Sequence, residues 1–269
     1  MLDKATVEAV REAYNEVCGE EETKSIRPIV LSGDDLTFIC RANIAIPFTA
    51  KFLECFESKT KEFLGNILRN NEVFTHGEVT DCLTACAGIA FIKSKFPFYA
   101  AYTLAEDLCG IAKKDAKDSQ EIREGRALPQ SCIMFHKVQD SFITKYEDIA
   151  IRELNPPGKY TFESGPYYLK GKDTKWTIKE LEECISQISG DDNTLSGNIR
   201  NWISILYHNP EMEEQRIERI SINLHNDNKR ELLNKIICRL KISNDGNIKY
   251  ISPAYDILTI MSINTKITV

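Results

Sequence analysis

The chain has 269 residues, of which 42% are apolar and 28% are charged, and its formal net charge is −6. This composition is that of an ordinary globular protein and excludes a disordered chain. The acidic balance gives no bulk basic signal for nucleic acid, and no apolar run approaches the roughly 18 residues that a membrane span needs.

The cysteines and the N-terminal residues indicate the cellular compartment of the protein. Nine cysteines are scattered through apolar stretches, and no two form a C-x-x-C pair. This distribution argues against a zinc site and against a disulfide framework. The first residues have a helical period and acidic side chains, unlike a secretory signal. We therefore expect a cytoplasmic protein without membrane contact, in which all nine cysteines are reduced thiols.

The chain is predicted to begin with a helix, a hairpin and a second helix. Residues 2–17 have the period of an amphipathic helix. Pro28–Leu31 and Leu36–Cys40 are β-rich runs on either side of Ser-Gly-Asp-Asp, which indicates a hairpin. Pro47 suits the first turn of a helix over residues 47–69. Its apolar stripe consists of Phe48, Phe52, Phe56, Phe63 and Ile67.

The next segment is predicted to alternate strands and helices. The run Leu83–Ile92 is apolar except for Thr84 and contains Gly88, which predicts a central strand buried on both faces. A helix at 97–116 follows, because small and apolar residues recur at spacings of three and four. A strand near Ser131–Lys137 and a short helix at 141–153 complete this part.

A boundary is predicted at residues 155–158, Asn-Pro-Pro-Gly, because two prolines and a glycine stop both helix and sheet. Beyond it the pattern becomes helical. Thr177 and Glu180 form a capping box, and further helices are predicted around Trp202, over 232–240 and over 255–263. The sequence thus predicts an α+β domain over residues 1–155 and an α-helical domain over residues 156–269.

The adjacent carboxylates Asp34 and Asp35 at the hairpin tip are the sharpest chemical feature. Two such groups repel each other unless a divalent cation neutralises them. In two-metal nucleotidyl transfer, carboxylates of this kind hold Mg²⁺ at the triphosphate. Gly33 would let backbone amides approach a phosphate. An ordinary acidic hairpin turn explains the same four residues, because Gly and Asp are favoured in turns.

The order of elements resembles the palm of GGDEF nucleotide cyclases. It is more similar to the second palm domain of the large subunit of type III CRISPR effector complexes. The matching segments are LSGDDLTF (31–38), ACAGIAFIKSKFPFYAAYTLAEDL (85–108) and IAKKDAK (111–117). The C-terminal half resembles the helical domain that follows that palm, through FESGPYYL (162–169) and AYDILTIM (254–261).

This resemblance implies a ferredoxin-like palm that joins ATP molecules into cyclic oligoadenylate for antiviral defence when target RNA is bound. Asp34 and Asp35 would be catalytic residues and ligands of Mg²⁺ or Mn²⁺. Ser32 and Gly33 would back the phosphates, and Lys113 would bind the triphosphate. The partners implied are ATP, other CRISPR effector subunits and, through them, guide and target RNA. Lys113 can equally be a lysine that complements the helix dipole.

Two departures from the family pattern affect these expectations. The turn is SGDD where the family usually has GGDD. The family's first strand, which carries a further metal-site carboxylate, has no counterpart here. The sheet would then close by pairing the hairpin with the strand at 84–92, by borrowing a strand, as in a homodimer, or by joining an upstream part of the protein. A catalytically silent palm used as an assembly scaffold and a diguanylate-cyclase-like enzyme are the alternatives.

Overall fold

The computed structural model describes residues 2–19, 26–69, 82–118, 129–139, 145–171, 175–189, 194–224, 226–237, 240–244 and 247–264. In the first half the elements are α1 (Leu2–Cys18), β1 (Ile26–Ser32), β2 (Asp35–Cys40), α2 (Ala42–Arg69), β3 (Cys86–Phe91), α3 (Phe98–Lys117), β4 (Cys132–Lys137) and α4, which joins an α-helical turn at Tyr146–Ile149 to a π-helical segment at Ala150–Leu154. In the second half they are β5 (Tyr160–Thr161), β6 (Tyr167–Tyr168), α5 (Ile178–Ser189), α6 (Thr194–His208), α7 (Glu213–Asn223), α8 (Asp227–Ile237), β7 (Leu240–Asn244), β8 (Asn247–Ile251) and α9 (Ala254–Asn264).

The strands form three small sheets. β1 and β2 make an antiparallel hairpin, β4 lies between a parallel β3 and an antiparallel β6, and β8 lies between a parallel β5 and an antiparallel β7. The mixed α+β class is therefore confirmed, whereas the palm architecture stays a prediction. The segment after residue 156 is mainly helical, as predicted, but its described residues also contain four short strands that were not predicted.

Helix α3 lies directly on strand β3 because Gly88 has no side chain. A Cβ atom at Gly88 would stand 2.0 Å from the Ala105 carbonyl oxygen and 2.5 Å from the Cys109 nitrogen. The helix buries four residues of the apolar stripe that the sequence indicates, Ala101, Leu104, Leu108 and Ala112, and the fifth, Ala105, is partly buried. The helix predicted at 97–116 is thus confirmed, and its packing explains the glycine inside the apolar run.

The prediction that residues 83–92 form a central strand buried on both faces is wrong. Among the described residues β3 pairs with β4 alone. Its second edge has no strand partner in the described ranges, and Cys86–Ala90 are only partly buried. The short side chains of this run reflect the close approach of α3 rather than a central position in the sheet.

Helix α2 begins before the predicted first turn. It starts at Ala42, so that Pro47 lies inside it. The amide of Ile44 donates to the Arg41 carbonyl at 3.2 Å, which begins the turn. Ile44, Ala45 and Ile46 are each 6% exposed, and their burial draws this segment into the helix. The predicted stripe holds at Phe48, Phe52 and Phe56, which are buried.

The hairpin packs on α2 but does not extend the neighbouring sheet. Phe38 of β2 meets Phe48 of α2 edge to face, with the ring centroids 4.9 Å apart. β1 and β2 form a sheet by themselves in the described part of the chain. Direct pairing of the hairpin with the strand at 84–92 is therefore not how the sheet closes. The borrowed strand and the upstream strand stay predictions.

The segment after residue 156 shares its core with the segment before it. β6 pairs with β4 through Cys132↔Tyr168 and Ile133↔Tyr167, and the buried apolar residues of both halves form one continuous cluster. The two-domain division at 155–158 stays a prediction.

The predicted helices of the second half are present. The capping box is confirmed, with the Glu180 amide donating to Thr177 Oγ1 at 3.1 Å and the Thr177 amide donating to Glu180 Oε2 at 2.9 Å. The helices at Trp202 and at 255–263 are also confirmed. The helix predicted over 232–240 ends at Ile237, and Leu240 begins strand β7 instead. Residues 141–144 of the predicted short helix lie outside the described residues.

Candidate functional site

The Asp-Asp turn is a two-residue hairpin loop. Ser32 and Asp35 are register partners, so that Gly33 and Asp34 form the loop between them. Gly33 has φ of +61°, the left-handed conformation that tight hairpin loops require at their first position. Nothing lies within 4 Å of a Cβ placed at Gly33, so that conformation alone selects glycine here.

Helix α1 anchors the turn from both sides of Gly33. The Thr6 hydroxyl donates to the Gly33 carbonyl oxygen at 2.7 Å, and the Gly33 amide donates to Asp3 Oδ1 at 3.1 Å. Thr6 is buried. The turn is therefore held against the first two turns of α1. The Gly33 amide, which the sequence assigned to a phosphate, is engaged with a carboxylate in this conformation.

Asp34 and Asp35 are both exposed. Neither carboxylate forms an ion pair or a hydrogen bond with any residue in the described ranges. The hydrogen bond that Tyr102 of α3 donates to Glu106 at 2.6 Å and the charge of Glu106 raise the pKa of Tyr102, and burial and the charge of Asp35 contribute less. Ser32 is also exposed, at the end of β1. The tip thus presents to solvent two adjacent negative charges that have no partner among the described residues.

Lys113 is not in contact with the turn within the described residues. It is exposed and lies eleven residues after Tyr102 on α3, a rise of about 16 Å along the helix axis. Its positive charge instead acts on Cys86 and Cys109, where it favours the thiolate. The structure therefore brings Asp34 and Asp35 together on one tip, with Lys113 further along the neighbouring helix.

The carboxylate pair suits a cation whose other ligands come from water and from a bound substrate. Among the described residues, no group of three or more His, Cys, Asp or Glu side chains is arranged to hold a metal ion. Mg²⁺ is usually bound by one or two carboxylates, by waters and by substrate phosphates rather than by a full protein cage. Asp34 and Asp35 fit that requirement, because both carboxylates are exposed and have no partner in the described residues.

A separate cavity of about 320 Å³ lies between the start of α2, the end of β3, α5 and α9. Ile46, Phe91 and Ile185 contribute apolar walls, and Glu182 is part of the lining. Burial raises the pKa of Glu182, with a smaller contribution from Glu54. The lining contains neither Asp34 nor Asp35. This cavity is therefore not part of the carboxylate turn.

A scan against models of protein families and a search of curated proteins both find no match. Within the described ranges, no helix is long and apolar enough to cross a membrane. The function is therefore argued from the chemistry of the turn and its surroundings.

Proposed function

We propose that the protein is an ATP-using nucleotidyltransferase of the palm type, whose Asp34 and Asp35 hold Mg²⁺ or Mn²⁺ together with the triphosphate. The observation that carries this proposal is a hairpin tip, fixed to α1 through Gly33, that presents two exposed carboxylates without a partner in the described part of the chain. Such a pair is repulsive by itself and gains most from a divalent cation. A bound metal would neutralise charge on the phosphates and activate an attacking 3′-hydroxyl.

The contribution of the chain itself is positioning. Thr6 and Asp3 hold the carbonyl and the amide of Gly33, which limits the directions that the adjacent carboxylates can take. Carboxylate ligands that are already held in place need little reorganisation when the substrate binds. By its resemblance to the CRISPR palm, the proposed product is cyclic oligoadenylate, and the proposed setting is antiviral defence with other effector subunits and RNA.

Exposed apolar strand edges favour the scaffold alternative. The hairpin exposes Ile29, Val30, Leu31 and Ile39, and within the described residues β3 has an unpaired edge. Exposed apolar strands with unpaired backbone groups pair readily with another chain. A silent palm would use this surface for assembly and would bind no metal–nucleotide complex, so that nucleotide binding separates the two functions.

Removing both carboxylates should abolish binding of ATP with Mn²⁺. Calorimetry of the Asp34→Ala, Asp35→Ala double variant tests this. A matched control is the Glu147→Ala, Asp148→Ala variant, which removes two adjacent exposed carboxylates from α4 and should bind like the unmodified protein. Equal ATP–Mn²⁺ affinity in both double variants would mean that the tip is only a turn.

Product analysis tests whether the two carboxylates of this chain suffice for the proposed reaction. After incubation with ATP and Mn²⁺, chromatography should show bound or unreacted ATP and no cyclic oligoadenylate from the 269-residue chain alone. The reason is that, among the described residues, no group of three or more His, Cys, Asp or Glu side chains is arranged to hold a metal ion, and the further carboxylate at the turn, Asp3, is engaged with the Gly33 amide. Abundant cyclic product from a monomeric sample would show that the two carboxylates suffice.

Lys113→Ala should weaken binding of ATP more than binding of adenosine if Lys113 reaches the triphosphate. One charge-assisted hydrogen bond contributes roughly 1.5–3 kcal/mol, which corresponds to about a tenfold to hundredfold loss of affinity. Lys114→Ala, at the neighbouring exposed lysine, is the control and should have little effect. An equal loss for ATP and adenosine would indicate damage to α3 instead.

A further inference from the structure

The first residues of β3 and β4 place two cysteines side by side. Cys86 and Cys132 are register partners in the parallel pair, and Cys132 Sγ donates to Cys86 Sγ at 3.7 Å. Neighbouring strands are about 4.8 Å apart, within the Cα spacing that a disulfide accepts, and an S–S bond is about 2.05 Å long. A small side-chain rotation would therefore bring the two sulfurs to bonding distance.

The two thiols differ in accessibility. Cys132 is completely buried, at 0% exposure, and its sulfur also lies 3.5 Å from the Ala112 carbonyl oxygen. Cys86 is partly exposed on β3, whose second edge is unpaired in the described part of the chain. Cys86 is therefore the more accessible of the two residues, and Cys132 is shielded from solvent.

The electrostatic surroundings favour the thiolate of Cys86. The hydrogen bond from Cys132 is the largest cause that lowers the pKa of Cys86, and Lys113 and Lys117 lower it further against the opposing effect of burial. Burial raises the pKa of Cys55 and Cys109, and raises that of Cys40 to about 11. Because the thiolate is the reactive form of cysteine, Cys86 should be more nucleophilic than these three.

Helix α3 provides the two lysines. Cys109, Lys113 and Lys117 recur every four residues and so lie on one face of the helix. The Cys109 thiol donates to the Cys86 carbonyl oxygen at 3.3 Å, which places this face against the start of β3. Lys113 therefore has a defined neighbour in the fold that does not depend on the nucleotide proposal.

We propose that Cys86 and Cys132 form a thiol pair that a hydroperoxide oxidises to a reversible disulfide. The Cys86 thiolate attacks a peroxide oxygen, the O–O bond breaks, and a sulfenic acid forms as water or an alcohol leaves. The Cys132 sulfur then attacks Cys86 Sγ, the S–S bond forms, and the hydroxyl group leaves as water with the proton of Cys132. The two thiols lose two electrons and two protons in total, and the hydroperoxide gains them.

Peptide mapping of the unmodified protein tests the proposal directly. Reduced protein is treated with equimolar hydrogen peroxide, its remaining thiols are blocked, and it is digested without reductant for mass spectrometry. The expected result is a peptide pair that joins Cys86 to Cys132 and lacks two hydrogen atoms, and that dithiothreitol separates. A disulfide between other cysteines, or no loss of thiols at Cys86, would overturn the proposal.

Variants separate the two roles. Cys132→Ser should accumulate a sulfenic acid at Cys86 that dimedone traps, and Cys86→Ser should lose the rapid reaction with peroxide. Cys55→Ser, at a buried thiol on α2, is the control and should leave the disulfide unchanged. Lys113→Met should slow the oxidation of Cys86 several-fold, whereas Lys114→Met should not. Equal oxidation rates for these two variants would mean that Lys113 does not assist Cys86. If a cysteine variant does not fold by circular dichroism, the mapping of the unmodified protein decides alone.

Discussion

Replacing Gly88 by alanine should destabilise the protein by about 3 kcal/mol or more, at the upper end of what overpacking costs. The added methyl group would stand 2.0 Å from the Ala105 carbonyl oxygen and 2.5 Å from the Cys109 nitrogen. Both atoms belong to the backbone of α3, so that no side-chain rotation can relieve the overlap. Helix α3 would have to move away from β3 and loosen the packing of Leu104 and Leu108, which are buried. Urea unfolding followed by circular dichroism measures the loss.

Gly110→Ala is the matched control, because it adds the same methyl group to α3, the helix that packs on β3 at Gly88. Gly110 lies inside α3, is exposed, and has nothing within 4 Å of its Cβ position. Alanine is favoured over glycine inside a helix, so this variant should be about 0.5–1 kcal/mol more stable. Equal effects of the two substitutions would mean that α3 does not pack on β3 as described.

The sequence predicts well those elements whose patterns are local. The hairpin, α3 and the capping box of α5 each carry their signal within a few residues, and all three are confirmed. β5 and β6 are two residues long, too short to show a period. The β7–β8 hairpin does carry a signal, Asp245-Gly246 between two apolar runs, which is typical of tight hairpin turns. Ile236 and Leu240 also have the spacing of a helical stripe, and for this reason a helix over 232–240 was predicted instead.

The candidate site could be located from the sequence but not completed from it. Asp34 and Asp35 stand out because an acidic pair falls at a turn between two strands. Asp3 and Thr6, which fix that turn, are 30 and 27 positions from Gly33 along the chain, and only the packing of α1 beside the hairpin brings them there. Likewise, the helical spacing places Lys113 on the same face as Cys109, but the structure alone shows that this face meets Cys86.

A buried carboxyl group joins α9 to the segment around β6 and should make stability depend on pH. Asp256 of α9 accepts hydrogen bonds from Ser164 Oγ at 2.9 Å and from the Tyr167 hydroxyl at 2.6 Å. Burial raises the pKa of Asp256 from 3.8 to about 6, against the smaller opposing effects of these two hydrogen bonds and of His136. Tyr167 lies in β6, which pairs with β4, so the carboxyl group sits where α9 meets the sheet.

Asp256→Asn should remove a pH dependence of about 3 kcal/mol, at roughly 1.4 kcal/mol per pKa unit. Because the pKa of Asp256 is higher in the folded protein, the folded state binds more protons than the unfolded state between about pH 4 and pH 6. Raising the pH through this window therefore destabilises the unmodified protein. Asparagine carries no charge, so the difference in unfolding free energy, variant minus unmodified protein, should rise across the window and then level off. Urea titrations from pH 4 to pH 7 measure that difference, and the shared contribution of other titrating groups cancels in it. Asp148→Asn, at an exposed position on α4, removes a carboxylate without removing a buried charge and should give a flat difference. A flat difference for Asp256→Asn as well would mean that this carboxyl group is solvated in the folded protein.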